Sequence, residues 1–173
     1  QKVPTPVSVQ RALDALSRSK FLAGLADRFL IGVLKQVRRY LTEDDTRAFA
    51  QDRVAATVTP DTTVLIGHSL GSVVAYEALC AHPEWNIRSF VTLGSPLGIR
   101  NVVFERLQPS GVFPGPQWTN INDRHDVVAL VKRLAPLFGP VKDIPVDNGW
   151  KAHALATHLT AVETGQAVLA GLA

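Results

Sequence analysis

Residues 62–80 read TTVLIGHSLGSVVAYEALC. A β-branched, apolar run enters Gly67-His68-Ser69-Leu70-Gly71 and leaves directly into a helical pattern, with no loop between them. A strand that turns straight into a helix strains the backbone at the turn, and glycines on either side leave room for the close approach. Such a turn is either ordinary punctuation or a device that exposes the Ser69 hydroxyl. The residues around it decide which.

Downstream, Pro83 stops the helix that begins at Leu70. Ile87–Leu93 (IRSFVTL) reads as a second strand ending in Gly94-Ser95-Pro96, and Ile99–Leu107 as a short helix. Residues 109–116, with three prolines and two glycines, form a loop. Trp118–Ile121 is a third strand and Val141–Val146 a fourth, which Pro145 assigns to a sheet edge. A final helix spans about residues 151–170. Upstream, two prolines in QKVPTPV (1–7) block a helix, and a helical pattern runs from Ser8 to Ser19. Phe21, Leu25, Phe29, Val33, Val37 and Leu41 recur every fourth residue and predict a second helix over 21–41. Thr42, followed by Glu43, Asp44 and Asp45, reads as the N-cap of a third, ending before Pro60. Strands alternating with helices predict an α/β fold, a mostly parallel sheet with helices on both faces, in a single domain.

At 173 residues the chain has the size of one domain, and 46% apolar residues suffice for its core. No apolar run reaches the roughly 18 residues of a membrane span. Cys80 is the lone cysteine and excludes an internal disulfide. Its apolar helical setting marks it as a small buried hydrophobe, and a cytoplasmic, reducing compartment is the expectation. The chain opens on Gln1 and reads as a processed or partial product. Net charge is +3, with eight Lys/Arg against two Asp in residues 1–41. These cations are scattered and no nucleic-acid motif accompanies them, so they read as a solvated helix face. HExxH, CxxC and GxxxxGK[ST] patterns are absent from the sequence, which offers no metal or phosphate site by spacing.

In a parallel sheet, ligands bind beyond the carboxyl ends of the strands. Ser69 follows the first strand there, Ser95 the second, Asp123 and Asp126 the third, and Asp147 the fourth, with His153 just after. A serine hydroxyl needs a base to take its proton, and a histidine base needs a carboxylate to fix its tautomer. The N-terminus of the helix at Leu70 presents that residue's N–H to a developing oxyanion. Gly67-His68-Ser69-Leu70-Gly71 resembles the nucleophile elbow of the α/β-hydrolase family, whose triad order is also Ser, Asp, His. HSLGSVVAYEAL, VTLGSPLGIRNVVFERL, WTNINDRHDVVAL and VDNGWKAHALATHLTAVETG are similar to a group of actinobacterial lipase-like serine hydrolases, over about residues 42–171.

The resemblance implies a nucleophile at Ser69, an acid in the loop after the third strand and a histidine after the last. Asp126, in HDVVAL, is favoured over Asp123, which can cap the turn, while Asp147 serves the VDNG turn. His153 is favoured over His158; five residues apart on one helix, they would stand about 140° apart around its axis and could not both face Ser69. His68 is expected to point into the helix packing, His82 to end its helix at the surface, and His125 to sit in the loop beside the acid. Members of the family carry strands ahead of the helical region and an early His-Gly loop that supplies a second oxyanion donor. No convincing strand precedes Thr63, so a sheet lacking those N-terminal strands is expected. Residues 21–41 are expected to pack on the sheet, with a lid the next reading and membrane contact the last.

The resulting expectation is a serine hydrolase that cleaves an ester or related acyl bond of a small molecule, without a cofactor. Its alternative is a hydrolase-fold module that binds or scaffolds without turnover.

Overall fold

The computed structural model describes residues 20–173. The helical pattern expected over 8–19 lies outside the described residues. The first described element, α1 (Lys20–Thr42), is followed at once by α2 (Asp44–Ala55). Then β1 (Val64–His68) leads into α3 (Leu70–Ala81), and β2 (Ser89–Leu93) follows. A single 3-10 turn (Phe104–Arg106) precedes β3 (Gln117–Asp123). The chain closes with α4 (Ala135–Phe138), β4 (Val141–Val146), a 3-10 turn (Gly149–Lys151), α5 (Leu155–Leu159) and α6 (Val162–Leu172).

The four strands among the described residues form one sheet in sequence order, every neighbouring pair parallel. The fold is therefore α/β. Tyr76, Leu97 and Phe138, from the segments that connect the strands, pack in one core cluster, and Ala167, beyond β4, packs in another. Strand residues sort accordingly, with period two. Leu65, Phe90 and Trp118 join the larger core beneath α3, with Val37, Tyr76, Leu97 and Phe138. Val91, Leu93 and Ile121 face the other way and pack with Ala167 of α6. The larger core is aromatic: the Trp118 ring lies 5.1 Å from those of Phe90, Phe113 and Phe138. One polar row crosses this face in register, Thr92, Asn120 and Asp143. It satisfies itself, with Thr92 Oγ1 donating to Asn120 Oδ1 at 2.9 Å and Asn120 Nδ2 to Asp143 Oδ1 at 2.8 Å.

Before β1 the described residues contain helices and no strand. The C-terminal half of α1 buries Val37, Tyr40 and Leu41 in the larger core, so this half packs as a structural helix. A buried carboxylate ties the front helices to α3. Glu77 accepts from Tyr40 Oη at 2.6 Å and from Arg47 at 3.0 and 2.7 Å. Burial, then the hydrogen bond to Glu77, pushes the Tyr40 hydroxyl well above the usual phenol range. No helix among the described residues is long and apolar enough to cross a membrane.

Several boundaries differ from the sequence expectation. Thr42 does not cap α2; its hydroxyl donates back to the Arg38 carbonyl at 2.9 Å, and Glu43 occupies the extended N-cap position. The helix expected over 99–107 shrinks to one 3-10 turn, because Asn101 takes a left-handed conformation, φ 63°. The single final helix breaks at Ala154 and Ala161, both extended. β4 does lie at a sheet edge, with Pro145 in it.

Candidate active site

The candidate site lies at the carboxyl ends of the strands and begins with Ser69. At φ 52° and ψ −127° this serine holds a backbone conformation costing about 1–3 kcal/mol for a residue with a Cβ. Its N–H donates to the Leu93 carbonyl at 3.0 Å, fixing it beside the end of β2. Its carbonyl accepts from the Ser72 N–H at 3.0 Å and from the Ser72 hydroxyl at 2.6 Å. Ser72 Oγ in turn lies 2.7 Å from Ser95 Oγ, which accepts from the Leu97 N–H. Since each hydroxyl carries one proton, the order is set: Leu97 donates to Ser95, Ser95 to Ser72, Ser72 to the Ser69 carbonyl. Sequence reasoning missed Ser72, although a hydroxyl one turn into an apolar helix was the signal for it.

Gly67 and Gly71 divide the glycine role unequally. A Cβ on Gly67 would stand 2.5 Å from Ser72 Cα and 2.9 Å from the Gly71 carbonyl oxygen. Strand and helix cross at van der Waals contact there. A Cβ on Gly71 would meet nothing within 4 Å, so the room expected from this second glycine is not used among the described residues. Leu70, first residue of α3, has an N–H with no intrahelical acceptor, at the positive end of the helix.

The candidate acid and the candidate base meet. His153 Nδ1 lies 2.7 Å from Asp126 Oδ2, and the Asp126 side chain is wholly buried. The other oxygen of Asp126 accepts from the Val128 N–H at 2.8 Å and the Ala129 N–H at 3.3 Å. Burial works to raise this carboxyl. The hydrogen bond and charge of His153, with the two backbone donors, outweigh burial and hold it below the usual carboxylate range. Lys132 does not pair with the carboxylate; its Nζ donates to the backbone carbonyls of Asp123 and Asp126 at 2.7 and 2.6 Å, closing the loop that carries the acid.

Gly94, which follows β2, joins this pair to Ser69. A Cβ there would lie 2.7 Å from Asp126 Oδ2 and 2.9 Å from His153 Nδ1. In the parallel register His68 pairs with Leu93, so Ser69 and Gly94 are adjacent across the two strands. The imidazole and its carboxylate therefore stand over the strand end next to the serine. Gly94, at φ 54°, was read only as the end of a strand.

Asp123 caps its turn, accepting from the backbone N–H groups of His125 and Asn148. Asp147 serves its own turn, accepting from Gly149 N–H at 3.0 Å, and pairs with exposed Arg124. His82 stacks on Trp85 at the surface and pairs with Glu84, and His125 lies in the loop beside the acid with its ring exposed. His153 lies between the 3-10 turn and α5, so the expected shared helix with His158 does not exist. His68 does not enter the helix packing. Because Gly67 faces α3, strand alternation turns His68 to the opposite face. There its ring centroid lies 4.7 Å from that of His153 and 6.1 Å from that of His158. His158 is fully buried, and neither ring nitrogen makes a hydrogen bond of good geometry.

An open cleft of about 410 Å³ lies beyond β4, lined by Arg124, Asp147, Asn148 and Glu163 among others. Ser69, Asp126 and His153 do not line it. Comparison with protein-family models, curated proteins and solved structures returns no match to this chain.

Proposed function

We propose that the chain is a serine hydrolase of α/β-hydrolase type, acting on an ester or related acyl bond of a small molecule. One observation carries the reading: a buried carboxylate holds His153 by Nδ1 at 2.7 Å, over the strand end beside a strained serine. That bond makes Nδ1 the protonated nitrogen and leaves Nε2 as the base. Ser69 Oγ attacks the carbonyl carbon while His153 Nε2 takes its proton. Asp126 stabilises the imidazolium, and the Leu70 N–H receives the negative charge that develops on the carbonyl oxygen. The imidazolium returns the proton to the departing alkoxide, leaving an acyl-Ser69. Water, deprotonated by the same nitrogen, then releases the acid. No step calls on a cofactor.

Hydrolysis of p-nitrophenyl esters of increasing acyl length tests this. A wild-type protein that releases p-nitrophenol with a chain-length optimum, and a Ser69→Ala variant reduced to background, are expected. Asp126→Asn should lower kcat by about 10³-fold or more, since it presents the wrong tautomer to the base. Undiminished turnover in Ser69→Ala would refute the assignment.

A further inference from the structure

We propose that His68 is a positioning residue of this site: its Nε2–H grips the backbone carbonyl of His153 and thereby holds the base over Ser69. The kinetic consequence rests on the hydrolase reading; the hydrogen bond itself does not.

His68 Nε2 lies 2.8 Å from the carbonyl oxygen of His153, across 85 residues of sequence. A carbonyl only accepts, so Nε2 must carry the proton. At His153 the partner is a carboxylate, which also only accepts, so there Nδ1 carries it. The two packed imidazoles thus use opposite tautomers, one gripping backbone and the other gripped by side chain. His153 belongs to no helix or strand, so such a grip matters to its placement. His68 ends β1 and immediately precedes Ser69, so the backbone that carries the nucleophile also holds the base. Burial, and the neighbouring imidazoles, push the His68 ring below the usual histidine range, which keeps it neutral with one donor.

Three measurements decide the matter. Long-range ¹H–¹⁵N correlation on the wild-type protein should find His68 as the Nε2–H tautomer and His153 as the Nδ1–H tautomer; an Nδ1–H tautomer at His68 overturns the proposal. His68→Gln keeps an N–H donor at similar reach, whereas His68→Leu removes it. Losing one such hydrogen bond predicts a kcat on p-nitrophenyl esters about tenfold lower in His68→Leu, with His68→Gln within about threefold of wild type and KM unchanged in both. The downfield proton of the His153–Asp126 bond should persist in His68→Gln and shift or broaden in His68→Leu. Equal behaviour of the two variants, in rate and in that resonance, overturns the proposal. If the wild-type protein turns over no ester, the hydrolase reading fails, while the tautomer and the resonance still decide the positioning role. If His68→Leu does not fold, the wild-type tautomer and the His68→Gln resonance decide it.

Discussion

Less than a methyl group's worth of space separates Asp126 and His153 from the strand beside them. Gly94 supplies that space: Asp126 Oδ2 and His153 Nδ1 would lie 2.7 and 2.9 Å from a Cβ there, and its φ of 54° already disfavours a side chain. Gly94→Ala must therefore push the imidazole off the carboxylate. Because the effect falls on placement of the base, kcat should drop by about 10²-fold, as small misplacements at reacting groups do. Stopped assays on a variant whose circular dichroism matches wild type check this, and an unchanged kcat would contradict the geometry. The triad candidates were legible as residue types at strand ends. The polar helpers were less so: Ser72 and His68 act on backbone carbonyls and Ser95 on the Ser72 hydroxyl, and neither spacing nor chemistry announces which partner a side chain will reach.

At the scale of elements, the crossing of β1 and α3 fixes how the serine is presented. Gly67→Ala would place a Cβ 2.5 Å from backbone that cannot rotate aside, so a loss of about 1–3 kcal/mol is expected. Gly71→Ala fills open space in the first turn of a helix and should leave stability unchanged or raise it by up to about 1 kcal/mol. Urea midpoints of the two variants give the comparison; a Gly71→Ala loss matching that of Gly67→Ala would refute this account of the crossing. The elements that read well from sequence are those punctuated locally. α3 (Leu70–Ala81) is bounded by the elbow and Pro83, and β4 (Val141–Val146) by glycine and proline before it and a turn after. The final helix read badly because alanine carries no stop signal. It breaks at Ala154 and Ala161, where His153 is held by Asp126 and where the His158 carbonyl accepts from Thr164 Oγ1 at 2.6 Å. The first is a tertiary contact and the second a local side-chain-to-backbone bond, and helix propensity anticipates neither.

Over the whole molecule, the buried imidazoles of His68 and His158 make stability depend on pH. Burial, ahead of the neighbouring charges, lowers the affinity of His68 and His158 for protons. Asp126 acts in the opposite sense on both, without cancelling burial. The unfolded chain takes up protons at these positions near the usual histidine value of about 6.5, before the folded chain does. Their neutral burial is therefore unopposed above that pH, and stability declines as pH falls below it. Asp126, held low, adds a second loss once pH drops beneath the usual carboxylate range. Denaturant midpoints between pH 8 and pH 5 should fall for wild type and fall less steeply for His158→Gln. Parallel curves would show that His158 takes no part.

The same cluster bears on the central claim, that His153 activates Ser69 for attack. A fluorophosphonate probe followed by intact mass spectrometry tests it most directly. One adduct per chain is expected, on the peptide that contains Ser69, with none on Ser69→Ala and labelling slowed by about 10³-fold or more in His153→Ala. A folded wild-type protein that takes up no probe, or a His153→Ala variant labelled as fast as wild type, would contradict it and leave a binding module in its place.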